Sequence, residues 1–150
     1  MSLSERPSEA PNMVLVVDDE DLLRHVVCRA LWSEGYRTLE ARSGEDALHL
    51  VALMPAIDLV ITDVVMTGMD GRELGRRLAA EYPDLPVLYI SAYTTEDVFH
   101  RGAPDGGAPF LQKPFTPEAL LERVRDLVVA RRGQKKRPNV LGRLHSQDSA

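Results

Sequence analysis

The sequence predicts an α/β domain: a doubly wound sheet of five parallel strands with helices on both faces. Three observations carry this. Five short apolar runs alternate with segments of helical periodicity, and such alternation implies a parallel sheet covered by helices. The stretch Asp58-Leu-Val-Ile-Thr-Asp63 holds a mostly β-branched run of the kind that forms a strand buried on both faces. The 150 residues suit one domain, and a hydrophobic content of 44 % with only 5 % aromatics supplies a mostly aliphatic core.

Taken in order, residues 1–11 are polar and read as a disordered leader without a signal peptide's apolar core. Met13–Val17 is the first strand. A helix follows from about Glu20 to Ser33, with Leu23, Val26, Val27, Ala30 and Leu31 at helical spacing, and Gly35 stops it. Tyr36–Ala41 is a second strand. Ser43-Gly-Glu-Asp46 has the Ser-x-x-acid pattern of a helix start, and the second helix carries Ala47, Leu50, Val51 and Met54 before Pro55.

Asp58–Thr62 is the third strand. A loop over Val64–Met69 leads to a third helix from about Asp70 to Glu81, with Leu74 and Leu78 inward. Pro83 and Pro86 bracket the entry to the fourth strand, Val87–Ile90. A short fourth helix is expected at Thr94–Arg101, truncated or irregular because Gly102, Pro104, Gly106, Gly107 and Pro109 crowd in behind it. Phe110–Gln112 is the fifth strand. Thr116-Pro-Glu118 combines a cap, a first-turn proline and an acid at the positive end of the helix dipole. The fifth helix then runs to about Arg131, with Leu120, Leu121, Val124, Leu127 and Val128 as its apolar face. Residues 12–131 are read as the domain and 132–150 as a basic, disordered tail.

Charge narrows the function. The net charge is −5, yet Arg131 to Arg143 holds six basic residues and no acid, so the body is distinctly acidic. That argues against nucleic acid as the main partner. No apolar run spans a bilayer. The lone Cys28 fits a packed, inert thiol in a reducing compartment, so a cytoplasmic protein is expected. His25, His49, His100 and His145 form no pattern.

The chemistry gathers at strand ends. The first strand runs into Asp18-Asp19, the third ends on Asp63, the fourth runs into Ser91 and the fifth into Lys113. Parallel neighbours would bring these groups to one rim, where open α/β sheets bind ligands. Each alone has a plain reading as a cap, a turn residue or a solvated lysine. Together they make a hard oxygen site with no His or Cys at zinc spacing, suited to Mg²⁺. A divalent cation, a lysine, a hydroxyl and an exposed carboxylate suit phosphoryl transfer to an aspartate.

Val16-Val-Asp-Asp-Glu20, Ile61-Thr-Asp-Val-Val-Met66, Met69-Asp-Gly71, Ile90-Ser-Ala92 and Lys113-Pro-Phe115 together resemble the receiver domain of two-component response regulators, over about Asn12 to Arg131. The resemblance implies the flavodoxin-like, CheY-like fold with strand order 2-1-3-4-5. It implies Asp63 as the phosphoacceptor from a histidine kinase or phosphotransfer protein, and Asp18, Asp19, Asp63 and the Val65 backbone carbonyl as Mg²⁺ ligands. It implies Ser91 as a switch hydroxyl, Lys113 as the partner of a phosphoryl oxygen, Phe110 as a switch aromatic and a cis Lys113–Pro114 bond. Val65 and Tyr93, two residues beyond Asp63 and Ser91, would flank the path of a hydrolytic water.

Three departures stand out. Thr67 occupies the place of the family's usual proline. The Gly102–Pro109 segment is poor in helix formers, as in a subgroup of receivers at the ends of hybrid sensor kinases. The tail is too short and polar to be expected to fold as an output domain. The expected function is a phosphorylation-driven switch or relay, not an enzyme, with a downstream partner on the face of the fourth helix, fifth strand and fifth helix. It would be a monomer or a weak phosphorylation-dependent dimer, without nucleic acid or membrane. A haloacid dehalogenase-type hydrolase would need an Asp-x-Asp nucleophile motif after the first strand, where Asp18-Asp-Glu20 stands. A receiver that docks without phosphorylation is disfavoured by the full set of acids and Lys113.

Overall fold

The computed structural model describes residues 12–92 and 108–136; Tyr93, the expected fourth helix and the expected leader lie outside them. The elements are β1 (Met13–Val17), α1 (Asp21–Ser33), β2 (Arg37–Ala41), α2 (Gly44–Leu53), β3 (Ile57–Asp63), α3 (Gly71–Glu81), β4 (Val87–Ser91), β5 (Phe110–Gln112) and α4 (Pro117–Lys136). The strands are all parallel, in the order β2-β1-β3-β4-β5. This is the doubly wound, flavodoxin-like arrangement expected.

Alternation along the strands sorts the core. Val14, Val16, Leu59 and Ile61 face one layer, where Val27, Cys28, Leu31, Leu120, Val124 and Val128 of α1 and α4 pack. Leu15, Val17 and Val60 face the other, against Ala47, Val51, Leu74 and Leu78 of α2 and α3. Removing each such side chain from water contributes about 1.5–3 kcal/mol, which holds the sheet between its two layers.

Side chains cap α2, α3 and α4, whereas Glu20 ahead of α1 makes no side-chain cap bond. Ser43 Oγ accepts from the Asp46 N–H, Asp70 Oδ1 from the Glu73 N–H and Thr116 Oγ1 from the Ala119 N–H. The β1–β3 register shifts between Met13 and Val14, where β3 carries Asp58 as an extra residue. Asp58 Oδ2 accepts the Met13 N–H at 3.2 Å, so the skipped residue still satisfies a backbone donor.

Two expectations are corrected. Val26, expected inward, is 52 % exposed, and Arg24 takes the buried place beside Val27, Cys28 and Leu31. At about 100° per residue, positions 24, 27, 28 and 31 share a stripe that leaves 26 outside. The last helix was expected to end near Arg131, but its backbone continues to Lys136. The apolar stripe that suggested the end stops at Val128, yet the sequence holds no proline between Pro117 and Pro138, so nothing in the backbone forces a stop. Cys28 is fully buried, and burial pushes its thiol pKa up, as an inert cysteine requires.

Candidate functional site

The site lies at the C-terminal rim of the sheet. Asp18 follows β1, Asp63 ends β3, Ser91 ends β4 and Lys113 follows β5, so four connections deliver one group each. Asp18, Asp63 and Ser91 are all buried. Lys113 Nζ donates to Asp63 Oδ2 at 3.3 Å. The Lys113 N–H donates to the Ser91 carbonyl at 2.8 Å, and the Lys113–Pro114 bond is cis, as expected.

Burial dominates the electrostatics. It raises the Asp63 pKa, while the Lys113 charge and hydrogen bond and the backbone amides of Val64 and Val65 pull it down. Asp18 is raised from 3.8 to about 6, first by burial and then by the charges of Asp63 and Asp19, against the lowering effect of the Glu20 N–H and Lys113. Two buried carboxylates, one of them raised by the charge of the other, suit a divalent cation. The donors are hard oxygens, which fit Mg²⁺ rather than zinc.

Asp19 does not join them. It is exposed, and its Oδ2 accepts from the Thr67 N–H at 2.9 Å and the Thr67 hydroxyl at 3.0 Å. Among the described residues no three of His, Cys, Asp and Glu form a metal-ready group. The expected trio therefore separates into an Asp18–Asp63 pair beside Lys113 and an Asp19 held by the β3–α3 loop. The Val65 side chain is exposed next to Asp63. Phe110 is buried against Val64 and Tyr89, so the expected switch aromatic already points into the core.

Three residues contribute in ways that the sequence does not announce. Arg24 Nη1 donates to the Asp18 carbonyl at 2.8 Å, and Arg24 also bonds Asp21 and Glu40, each at 2.8 Å, fixing the turn that carries the acids. Its signal was a charge at an inward helical position. Gly71 packs so closely that a methyl there would overlap the Asp63 carbonyl oxygen and stand 2.9 Å from Val64 Cα. Thr67 was noticed only as a missing proline; nothing local pointed to Asp19.

A doubly wound parallel sheet that gathers two buried aspartates, a serine and a lysine at one rim defines a CheY-like α/β domain. Residues 14–125 match the response regulator receiver domain family, and the chain belongs to that family. It is 42 % identical over 117 residues to the sensor kinase CckA of Brucella abortus, covering 77 % of this chain and 12 % of that protein. The receiver domain of the hybrid histidine kinase CckA superposes with a TM-score of 0.64 at 38 % identity, covering 77 % of this chain and 98 % of that one. The response regulator TrrA of Thermotoga maritima, solved with Mg²⁺-BeF, superposes with a TM-score of 0.70 at 29 % identity, covering 77 % and 98 %. The chain spans about half or less of the length of the curated relatives it matches. Receiver domains are signalling switches of two-component systems. Among the described residues no helix is long and apolar enough to cross a membrane.

Proposed function

We propose that this receiver accepts a phosphoryl group on Asp63 from the phosphohistidine of a histidine kinase or phosphotransfer protein, and then acts as a switch or relay. The observation that carries this is the Lys113–Asp63 contact with Asp18 beside it, at the rim of the sheet. The Asp63 carboxylate forms the new P–O bond as the P–N bond breaks in a phosphohistidine protonated on its other ring nitrogen, so the leaving ring is a neutral imidazole. Lys113 would neutralise charge on the arriving group, and the Val64 and Val65 amides, which donate to the Asp63 carboxylate, would donate to it. Asp18 and Asp63 would hold Mg²⁺, with Asp19 and the Val65 carbonyl completing the set. Mg²⁺, when bound, offsets the negative charge of the phosphoryl oxygens.

Ser91 is proposed as the switch hydroxyl. It is tied through its carbonyl to the Lys113 amide, so the two respond together. Phe110 pairs with Tyr89, two residues before Ser91 on β4, and would connect the rim to α4, whose Arg123 donates to the Phe110 carbonyl. A downstream partner would read this change on the β5–α4 face. A cytoplasmic setting goes with the free, buried Cys28 thiol.

The test is acetyl phosphate with Mg²⁺, followed by intact-mass measurement. One phosphoryl adduct is expected on the wild type and none on Asp63→Asn. The same adduct on both proteins would move the acceptor elsewhere.

A further inference from the structure

Thr67 holds Asp19 by two bonds from one residue: the backbone N–H at 2.9 Å and the hydroxyl at 3.0 Å, both to Oδ2. The two residues are 48 positions apart, so this contact belongs to the tertiary fold and ties the β1–α1 turn to the β3–α3 loop. A proline at position 67 would supply neither donor.

The loop around Thr67 is anchored. Met66 is buried in the core, and Met69 lies so close over α2 that a methyl on Gly44 would stand 2.7 Å from its sulfur. Gly68 takes a φ of 78°, which lets the chain turn directly after Thr67. The donors are therefore held in place, and Asp19 is the partner free to swing.

Asp19 is also the acid out of line. The charges of Asp63 and, more weakly, Asp19 both reach Asp18, yet among the described residues the three acids do not close into a metal-ready group. We propose that Thr67 is a latch on Asp19: it holds this carboxylate off the Asp18–Asp63 pair, and Asp19 would have to leave the latch to serve as a third carboxylate for Mg²⁺. This rests on the Mg²⁺ site proposed above and adds a residue that sets its affinity.

The latch is exposed, so its net strength is modest: two hydrogen bonds to a carboxylate exchange against water. It weakens Mg²⁺ binding by roughly threefold to tenfold. Binding also releases the Thr67 amide and hydroxyl to solvent, so the β3–α3 loop registers whether the metal is present.

Calorimetric Mg²⁺ titrations of the full chain test this, using wild type, Thr67→Ser, Thr67→Val and Thr67→Pro, with Asp63→Asn as the control. Serine keeps both donors and should match wild type. Valine loses the hydroxyl and should bind Mg²⁺ more tightly, and proline, which loses both donors, more tightly still. In amide spectra the wild-type Thr67 N–H should shift upfield on adding Mg²⁺, as it leaves a carboxylate acceptor. Valine or proline variants that bind no tighter than serine, or bind more weakly, would overturn the latch and make Thr67 a support for Asp19 instead. Should proline fail to fold, the serine–valine pair decides. Wild-type binding that Asp63→Asn abolishes, with a flat Thr67 series, sinks the latch and leaves the metal site standing. No Mg²⁺ uptake by wild type sinks both.

Discussion

Lys113 Nζ stands 3.3 Å from Asp63 Oδ2, joining residues 50 positions apart at the rim of the sheet. Asp63 is buried, so its carboxylate has lost much of its water, and the lysine is the main group opposing that loss. Lys113→Ala should raise the Asp63 pKa further, read by carboxyl-carbon NMR titration. The variant should still take a phosphoryl group from acetyl phosphate, but amide shifts around Phe110 on phosphorylation should shrink. Shifts equal to wild type would remove Lys113 from the switch.

Asp18 carries a pH dependence with a definite sign. Its pKa rises from 3.8 to about 6 in the fold, so between those values the folded protein holds more protons than the unfolded chain. Its contribution is therefore fully present below about pH 4, is lost as pH rises through about 6, and is level above that. The loss is at most about 3 kcal/mol. Urea unfolding in EDTA across this window should show the fall in wild type and a flatter profile in Asp18→Asn. Parallel profiles would mean that burial of Asp18 does not govern it.

Gly75 of α3 leaves room for Tyr89 of β4. A methyl at Gly75 would overlap the Tyr89 hydroxyl and stand 2.8 Å from its Cζ. Alanine is worth about 1 kcal/mol over glycine in a helix, but overpacking a rigid core costs about 1–3 kcal/mol. Gly75→Ala should therefore destabilise, and should do so less in a Tyr89→Phe background. A double-mutant cycle measures the coupling. Additive effects would show that the layer relaxes without cost.

Val65 presents an apolar side chain, 59 % exposed, two residues past Asp63. It should hinder rather than orient a water in line with the phosphorus. Val65→Asn should shorten the phosphoryl lifetime severalfold, followed by the decay of the intact-mass adduct. An unchanged lifetime would free hydrolysis from this position.

The alternation of strands and helices was legible in the sequence, because periodicity and caps are local properties. Leu59-Val-Ile61 had to be a buried strand, and Ser43, Asp70 and Thr116 marked helix starts through bonds that span three residues. The sequence also placed Asp18, Asp63, Ser91 and Lys113 at strand ends, where a parallel sheet necessarily brings them to one edge. It left open the phase of α1: the choice between Val26 and Arg24 as the inward residue turned on a rotation of 200°, two residues at about 100° each. That Arg24 goes in was settled by long-range packing: the Asp18 carbonyl from the turn after β1 and Glu40 from β2 join Asp21 of its own helix in satisfying its charge. The tertiary structure likewise decided that Asp19 pairs with Thr67 rather than with its neighbour Asp18. Adjacent side chains point apart, and the nearest donors for Asp19 come from a loop 48 residues away, set there by the packing of β3 against β1.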